Sequence, residues 1–407
     1  MRTVTEHRDA VLALAAPLTS REVPLGEALG LVLAADLVSR LDLPGFDNSA
    51  MDGYAVRAAD LAGADEDHPV SLPVAGDIAA GDTAEHALEP GSTWRIMTGA
   101  PLPRGADAVV PVELSDGGDA RAAMRLAPEV GRHVRRRGED VGLGDIVLTA
   151  GQVLTPGRLA LAAAANVPVV HCIPRPRVAV VSTGDELVRV GEHPAYGQIV
   201  DSNSAMLAAL VEAAGAEVAS VTHVPDDADR LRDWLRELPG EPDLVLTTGG
   251  VSMGAYDTVK EVLREEGGVE FVRVAMRPGM PQGCGAVGDP PIPIITLPGN
   301  PVSSFVSFHV FVWPVLRRLA GAPVVAALED SPEVIETVAA QGWESAADKV
   351  ELTRVMLGPE GAHPSRGQGS HMLGALGQAD ALAIVPAEIT RVEAGTRVRC
   401  LPLLGHA

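Results

Sequence analysis

Four short runs carry the side chains best suited to chemistry: Ser182-Thr-Gly-Asp-Glu186, Thr248-Gly-Gly-Val-Ser-Met-Gly-Ala-Tyr-Asp257, Arg277-Pro-Gly279 and Leu297-Pro-Gly-Asn-Pro301. Each follows an apolar stretch that reads as a strand. Glycine after a strand lets backbone N–H groups approach a phosphate, and a following helix N-terminus adds partial positive charge. Asp185, Glu186 and Asp257, with Asp226 after another strand, offer the carboxylate oxygens that Mg2+ prefers. Taken singly, each run reads equally well as a turn with a helix-capping acid. Four on one sheet edge favour a ligand site. None is a Walker loop, because no Gly-Lys-Ser/Thr follows, and none is a GxGxxG.

A second group lies nearer the N-terminus. In Phe46-Asp-Asn-Ser-Ala-Met-Asp-Gly-Tyr-Ala-Val56, Asp52-Gly53 can be a plain turn into a strand. Arg135-Arg-Arg-Gly-Glu-Asp140 is either a solvated face or an anion site. In so acidic a chain, three adjacent arginines are better explained by an anion.

The elements that position these runs follow from apolar spacing. Val4, Val11 and Leu14 share a face of a helix over 3–16 that Pro17 ends, and a short helix is expected over Leu25–Leu33. From Gly53 to about Asp145, short apolar runs alternate with Gly, Pro and Asp turns, which predicts a β-rich unit. Arg158–Ala165 reads as a helix. Strands are expected at Arg177–Thr183, Glu217–Val224, Asp243–Thr248, Val269–Met276 and Ile292–Leu297. Helices are expected at Ala228–Leu238, Thr258–Glu266, Val302–Leu319 and in a segment capped by Asp201 or Ser202 and Gly215. That alternation predicts a mostly parallel sheet covered on both faces, with ligands at its carboxyl edge. After about Val325, runs such as Val350–Met356 and Ala381–Pro386 predict a small β domain.

Composition narrows the function classes. The 407 residues suit two to four domains, and 46% hydrophobic with 21% charged residues is a globular balance. Net charge is −22, from 32 basic and 54 acidic side chains, a surface that repels nucleic acid and anionic lipid. An anionic ligand must therefore be held by local arginines, amides and metal ions. Cys172, Cys284 and Cys400 form no disulfide or zinc pattern. No apolar signal region or membrane-length span is present, so a cytoplasmic protein is expected.

The ordered set Phe46–Val56, Arg95-Ile-Met-Thr-Gly-Ala100, Arg137-Gly-Glu-Asp140, Ser182–Leu187, Gly249-Gly-Val-Ser252, Leu297–Ser303 and Gln368-Gly-Ser370 resembles the MoeA family. It is also similar to the equivalent domain of gephyrin and of the plant molybdenum insertases. The resemblance runs from about residue 5 to 390. It implies a homodimer of four-domain subunits, a multidomain α/β plus β fold. Residues 1–46 and 146–174 would form an elongated helical linker domain at the dimer interface, and 47–145 an inserted β-rich domain. Residues 175–325 would form a MogA-like α/β molybdopterin-binding domain, and 326–407 a small β-barrel. The cleft would lie between the α/β domain of one subunit and the inserted domain of the other. Asp52, Thr98, Arg135 and Asp140 would then face Glu186, Asp226 and Asp257.

The implied reaction takes adenylylated molybdopterin and molybdate, releases AMP and yields the molybdenum cofactor, with Mg2+ or another divalent ion held by Glu186, Asp226 and Asp257. Ser182, Thr183, Gly249, Gly250, Ser252, Pro298 and Pro301 would line the substrate loops, while Arg273, Arg277, Ser303, Arg354 and Ser370 would meet molybdate, a tetrahedral dianion. Contact with the molybdopterin adenylyltransferase is a further implied partnership. In one respect the chain departs from the family. Where relatives read Lys-Pro-Gly-Lys-Pro it has Arg277-Pro-Gly-Met-Pro281, so one cation is replaced by a thioether. Two other readings compete: an adenylyltransferase, whose loop typically reads Gly-Gly-Thr-Gly and which lacks the flanking domains, and a silent scaffold.

Overall fold

The computed structural model describes residues 1–250, 258–265, 268–325 and 327–405. Helix α1 (Val4–Ala13) starts at a capping box, in which the Thr3 hydroxyl accepts from the Glu6 amide while the Glu6 carboxylate accepts from the Thr3 amide. Its inward face carries His7 and Arg8 as well as Val4, Val11 and Leu12. The chain then forms β1 (Arg21–Pro24) and β2 (Val32–Leu33). Only a single 3-10 turn, Leu25–Glu27, occupies the segment expected to be helical. Gly30 takes φ +79, and the amides of Gly30 and Leu33 turn to the carbonyls of Leu154 and Gln152. Sheet-like pairing therefore replaces the helix.

Strands β3 (Gly53–Val56), β4 (Val70–Ile78), β5 (Thr93–Ile96), β6 (Ala108–Pro111) and β7 (Arg121–Met124) form a five-stranded sheet in the order β6-β3-β5-β4-β7. Gly53 is required there, because a Cβ would strike the Val110 carbonyl on β6. Helix α2 (Pro156–Ala164), capped by Thr155, leads to β8 (Val169–Ile173), which inserts between β1 and β2.

Next come β9 (Arg177–Thr183), α3 (Ser202–Ala213), β10 (Glu217–Val224), α4 (Ala228–Glu237), β11 (Leu244–Thr248), α5 (Thr258–Glu265), β12 (Val269–Arg273), β13 (Pro281–Val287) and β14 (Ile292–Leu297). The sheet order is β10-β9-β11-β14-β13-β12. The first four strands are parallel, and β13 is antiparallel to both neighbours. It follows that β12 ends at the same edge as the parallel four. Alternation along β9 shows both faces buried: Val178 and Val180 pack with α1 and α3, Ala179 and Val181 with α4 and α5.

Strand β13 was not expected, since Gln-Gly-Cys-Gly has poor strand propensity. Its glycines are there for close approach: a Cβ on Gly283 would overlap the Thr296 hydroxyl, and one on Gly285 the Gly268 carbonyl. The strand expected to reach Met276 stops at Arg273, and Met276–Arg277 pairs elsewhere.

The long C-terminal helix of this unit is α6 (Pro301–Ser307), a π-helical turn at Phe308–Val312, and α7 (Trp313–Leu319). The buried Arg8 guanidinium donates to the Val310 carbonyl within that turn and to the Val325 carbonyl. A widened turn frees carbonyls, and Arg8 answers one of them.

The remaining strands are β15 (Ile335–Val338), β16 (Val350–Gly358), β17 (Gly361–Pro364), β18 (Ala381–Val385) and β19 (Arg397–Pro402). They pair β17-β16-β18-β19-β15, and a bridge between Ala339 and Ala362 joins β15 back to β17, closing a small barrel. Met276–Arg277 adds to β16 in register Met276–Val350 and Arg277–Glu351. The loop after β12 is thereby fastened to the barrel. Among the described residues no helix is long and apolar enough to cross a membrane.

Candidate active site

Three strand ends meet at the carboxyl edge of the α/β sheet. Gly249 follows β11 with φ +94, and a Cβ on it would overlap the Thr183 carbonyl at the end of β9. Gly299, after β14, would place a Cβ 3.5 Å from the Gly249 Cα. Glycine at both positions lets the backbones touch. Gly250 follows at φ +62. Asn203 on α3 stitches this junction: its amide group donates to the Thr248 hydroxyl and the Gly299 carbonyl, each at 2.8 Å. Thr248 in turn donates to the Pro298 carbonyl at 3.3 Å. Asn203 Oδ1 and the Thr183 hydroxyl are buried without a partner. Pro301 is the first residue of α6, and Ser303 lies buried in its first turn.

Asn203 escaped the sequence reading, which treated Asp201-Ser-Asn-Ser as a helix start. The available signal is an amide two residues after a capping Asp. That Asp201 caps α3 through the Ser204 amide, and its other carboxylate oxygen accepts from the Ser182 and Ser204 hydroxyls at 2.7 and 2.6 Å. Ser182 is therefore fully buried beneath the edge, with its hydroxyl proton committed to Asp201.

The acids stand above this frame. Asp185 accepts from the Asp226 amide at 3.1 Å, tying the loop after β9 to the loop after β10. Glu186 folds over Gly184, where a Cβ would strike its carboxylate. Glu186 and Asp226 are exposed and form no ion pair among the described residues. Two oxygen donors on tied loops suit a hard cation. Yet no three metal-ligating side chains gather among the described residues. Asp257 and Ser252 lie outside the described residues.

Arg273 ends β12, and Arg277 lies in the loop beyond it. Arg277 is 56% exposed, with Nε 3.9 Å from the buried Glu351 carboxylate. Arg273 turns Nε and Nη2 onto the Met280 sulfur at 3.3 and 3.2 Å. A thioether is a weak acceptor, so this fork is lightly held. Gln282 fixes the turn from below, donating to the Gly279 carbonyl and the Ser307 hydroxyl, both at 2.6 Å.

Arg354 is placed differently from the expectation. It is 1% exposed, and its guanidinium donates to the Gly367, Gly369 and Met372 carbonyls. Direct anion contact by Arg354 would require breaking those bonds. Ser370 reaches the edge through its carbonyl, which accepts from the Val302 amide at 3.2 Å.

On the inserted sheet, Asp52 accepts from both the amide and the hydroxyl of Thr98, at 2.6 and 2.8 Å. These bonds, the amide first, hold its carboxyl below the usual carboxylate range. Arg135 pairs with Asn48 on the adjoining strand segment, and the Ala50 amide donates to the His133 carbonyl. Asp52, Thr98 and Arg135 thus share one neighbourhood. The three-arginine run does not act as one cluster. Arg136 pairs with Asp47 at 2.6 Å and Arg137 with Asp42 at 2.5 Å. Only Arg135 is left without an ion pair among the described residues. Asp140 is exposed nearby, its amide on the Leu43 carbonyl.

Comparison with known proteins gives the same assignment over the whole length. Residues 2–166 match the model of the MoeA N-terminal region (domain I and II), 179–318 that of the probable molybdopterin binding domain, and 336–403 that of the MoeA C-terminal region (domain IV). Molybdopterin molybdenumtransferase 2 of Mycobacterium tuberculosis is 45% identical over 98% of this chain and 99% of its own. Molybdopterin molybdenumtransferase 1 of the same organism is 36% identical, with 100% of each chain covered. The crystal structure of the molybdopterin biosynthesis MoeA protein from Pyrococcus horikoshii superposes with a TM-score of 0.83 at 28% identity, covering 98% of this chain and 99% of that one.

Proposed function

Because the chain belongs to the MoeA family of molybdopterin molybdenumtransferases, enzymes of molybdenum-cofactor biosynthesis, we propose that it inserts molybdenum from molybdate into adenylylated molybdopterin and releases AMP. The observation that carries the finer reading is the placement, along the carboxyl edge of one sheet, of exposed acids on tied loops, a glycine junction, and Arg273 and Arg277 at and beyond the end of β12. Such an edge can receive a phosphoanhydride and a tetrahedral oxyanion side by side.

In this reading the glycine junction at Gly249, Gly250 and Gly299 lets the substrate approach main-chain amides, and Asn203 keeps the three loops in register. Arg277 and Arg273 orient molybdate; the weak Met280 contact leaves the Arg273 fork ready to exchange a thioether for an oxyanion. A divalent cation such as Mg2+ would be held by Glu186 and Asp226 with Asp257 as the third ligand, and when bound it neutralises charge on the leaving phosphate. Asp52, Thr98, Arg135 and Asp140 come from the second subunit of a cytoplasmic homodimer and close the cleft. Asp52, kept ionised by Thr98, positions a proton-bearing group of the substrate.

The test is AMP release from adenylylated molybdopterin by the purified protein as molybdate is varied. Molybdate-dependent release that drops at least about tenfold in Asp257→Asn, the usual consequence of losing a metal ligand or its support, is the expected result. Unchanged turnover in that variant would remove Asp257 from the site. No release by the parent protein would leave the scaffold reading instead.

A further inference from the structure

Asp47 stands where two segments of the inserted unit are tied together. The short strand Asn48–Ser49 runs between them. On one flank it pairs antiparallel with Val134–Arg135, in register Ser49–Val134 and Asn48–Arg135. On the other flank the Leu102 amide donates to the Asp47 carbonyl at 2.9 Å, the Ser49 amide to the Ala100 carbonyl at 3.1 Å and the Gly99 amide to the Ser49 carbonyl at 2.8 Å. The fully buried Ser49 hydroxyl then closes the turn towards Asp52, donating to the Met51 carbonyl at 2.5 Å and accepting from the Met51 amide at 3.2 Å. One spine, residues 47–52, thus reaches both the Thr98 side and the arginine run.

The Asp47 side chain acts on that run. Continuing the antiparallel register puts Asp47 opposite Arg136, and Arg136 Nη1 donates to its Oδ2 at 2.6 Å. Its Oδ1 accepts from the Arg137 backbone amide at 2.8 Å. These bonds, the Arg137 amide first, hold the Asp47 carboxyl below the usual carboxylate range. Neighbouring side chains leave a strand on opposite faces. Fixing Arg136 on Asp47 therefore directs Arg135 to the other face. The third arginine is taken as well: Arg137 Nε donates to Asp42, whose second oxygen accepts from the Leu143 amide at 2.7 Å. Arg135 is left exposed, with no carboxylate partner among the described residues.

At its far end the same spine carries Asp52, bonded to the Thr98 amide and hydroxyl at 2.6 and 2.8 Å. The spacing between Arg135 and the Asp52–Thr98 pair is thereby set by residues 47–52. Three free guanidinium groups would give an anion several poses of similar energy, whereas one gives a single pose. Placement to within about 1 Å decides up to roughly 100-fold in rate, so the difference bears on chemistry as well as on affinity.

We propose that Asp47 is a positioning residue of the reaction: it withdraws Arg136 and fixes the backbone just beyond Arg135, so that Arg135 alone meets the anionic part of the substrate. The proposal deepens the molybdenumtransferase reading and rests on it. Asp47 itself touches no substrate and acts only through Arg135.

A double-mutant cycle on molybdate-dependent AMP release by the full-length protein tests this. Asp47→Ala and Arg135→Ala should each lower the rate about tenfold, the scale of one charge-assisted contact. The protein carrying both changes should be no more than about twofold slower than Arg135→Ala, because nothing is left for Asp47 to position. A residue that only supported the fold would give losses that multiply, to about a hundredfold. Asp47→Asn keeps one acceptor for the Arg137 amide and should lose less than Asp47→Ala. If Asp47→Ala does not fold, the same cycle with Asp47→Asn decides. Multiplying losses, or full activity in the Asp47 variant, would overturn the role of Asp47 and leave the enzyme reading intact. No molybdate-dependent release by the parent protein would overturn the two together.

Discussion

The carboxyl edge of the α/β sheet and the Asp52 face of the inserted sheet are built in opposite ways. The edge is held from within: Asp201, Asn203, Gln282 and Arg354 each sit behind a loop and bind its backbone or hydroxyls. The Asp52 face stands on the surface, with Asp52, Thr98, Arg135 and Asp140 all exposed. The edge carries the acids and glycines, while the Asp52 face offers an ionised carboxylate and one unpaired arginine. Their difference predicts that substitutions behind the edge change stability, while substitutions on the Asp52 face leave it untouched.

The core behind the edge should show the largest effect. His7 is fully buried against Phe311 with neither ring nitrogen hydrogen-bonded, and burial pushes its pKa down to about 4. The unfolded chain takes up this proton near pH 6.5 and the folded chain only near 4, so the unfolded state holds more protons in between. Stability contributed by neutral His7 is therefore present above pH 6.5 and lost as pH falls towards 4. That loss amounts to roughly 3 kcal/mol. Urea unfolding of parent and His7→Leu at pH 7 and pH 4.5 should show a steeper acid loss in the parent. Parallel losses would place the acid sensitivity elsewhere.

On the Asp52 face the effect should fall on activity alone. Arg135→Ala should lower molybdate-dependent AMP release about tenfold or more, the scale of one charge-assisted contact, while leaving the melting temperature unchanged. Arg137→Ala, which breaks a surface pair with Asp42, should leave turnover unchanged. Equal activity losses in the two would mean that the run acts as a block after all.

A smaller change is expected at the edge itself. Met280→Lys replaces the sulfur under the Arg273 fork with a third cation. It should lower the half-saturating molybdate on the order of tenfold or less, without altering the KM for adenylylated pterin. No change in molybdate dependence would mean that position 280 does not face the oxyanion.

How much of this was legible in the sequence varies with the physical signal. Continuous apolar runs such as Arg177–Thr183 and Ile292–Leu297 marked buried strands to the residue, because burial on both faces leaves no room for polar alternation. Strand β13 was illegible, since its glycines answer contacts with Thr296 and Gly268 that are remote in sequence. The helix expected over Leu25–Leu33 failed for a related reason: local apolar spacing gave way to pairing with residues 152–154. At the candidate site, Asp185, Glu186, Asp226, Gly249 and Gly299 stand out in the sequence by residue type, and the fold brings them to one sheet edge. Asn203 and the inward role of Arg354 do not stand out. An amide or guanidinium looks the same in sequence whether it meets a ligand or a carbonyl of its own chain. The arginine run misled in the opposite direction, because Asp42 and Asp47, which neutralise two of its members, lie some ninety residues earlier.

In the proposed function the two half-sites serve one reaction across a subunit boundary. Asp52→Ala and Asp257→Ala proteins, each inactive alone, should recover molybdate-dependent AMP release when mixed under conditions that exchange subunits, because a mixed dimer holds one intact cleft. Recovery of up to about a quarter of parent activity is expected when exchange is random, half the molecules being mixed and each having one working site. No recovery after subunit exchange has been demonstrated would contradict the claim and place the whole site within one chain.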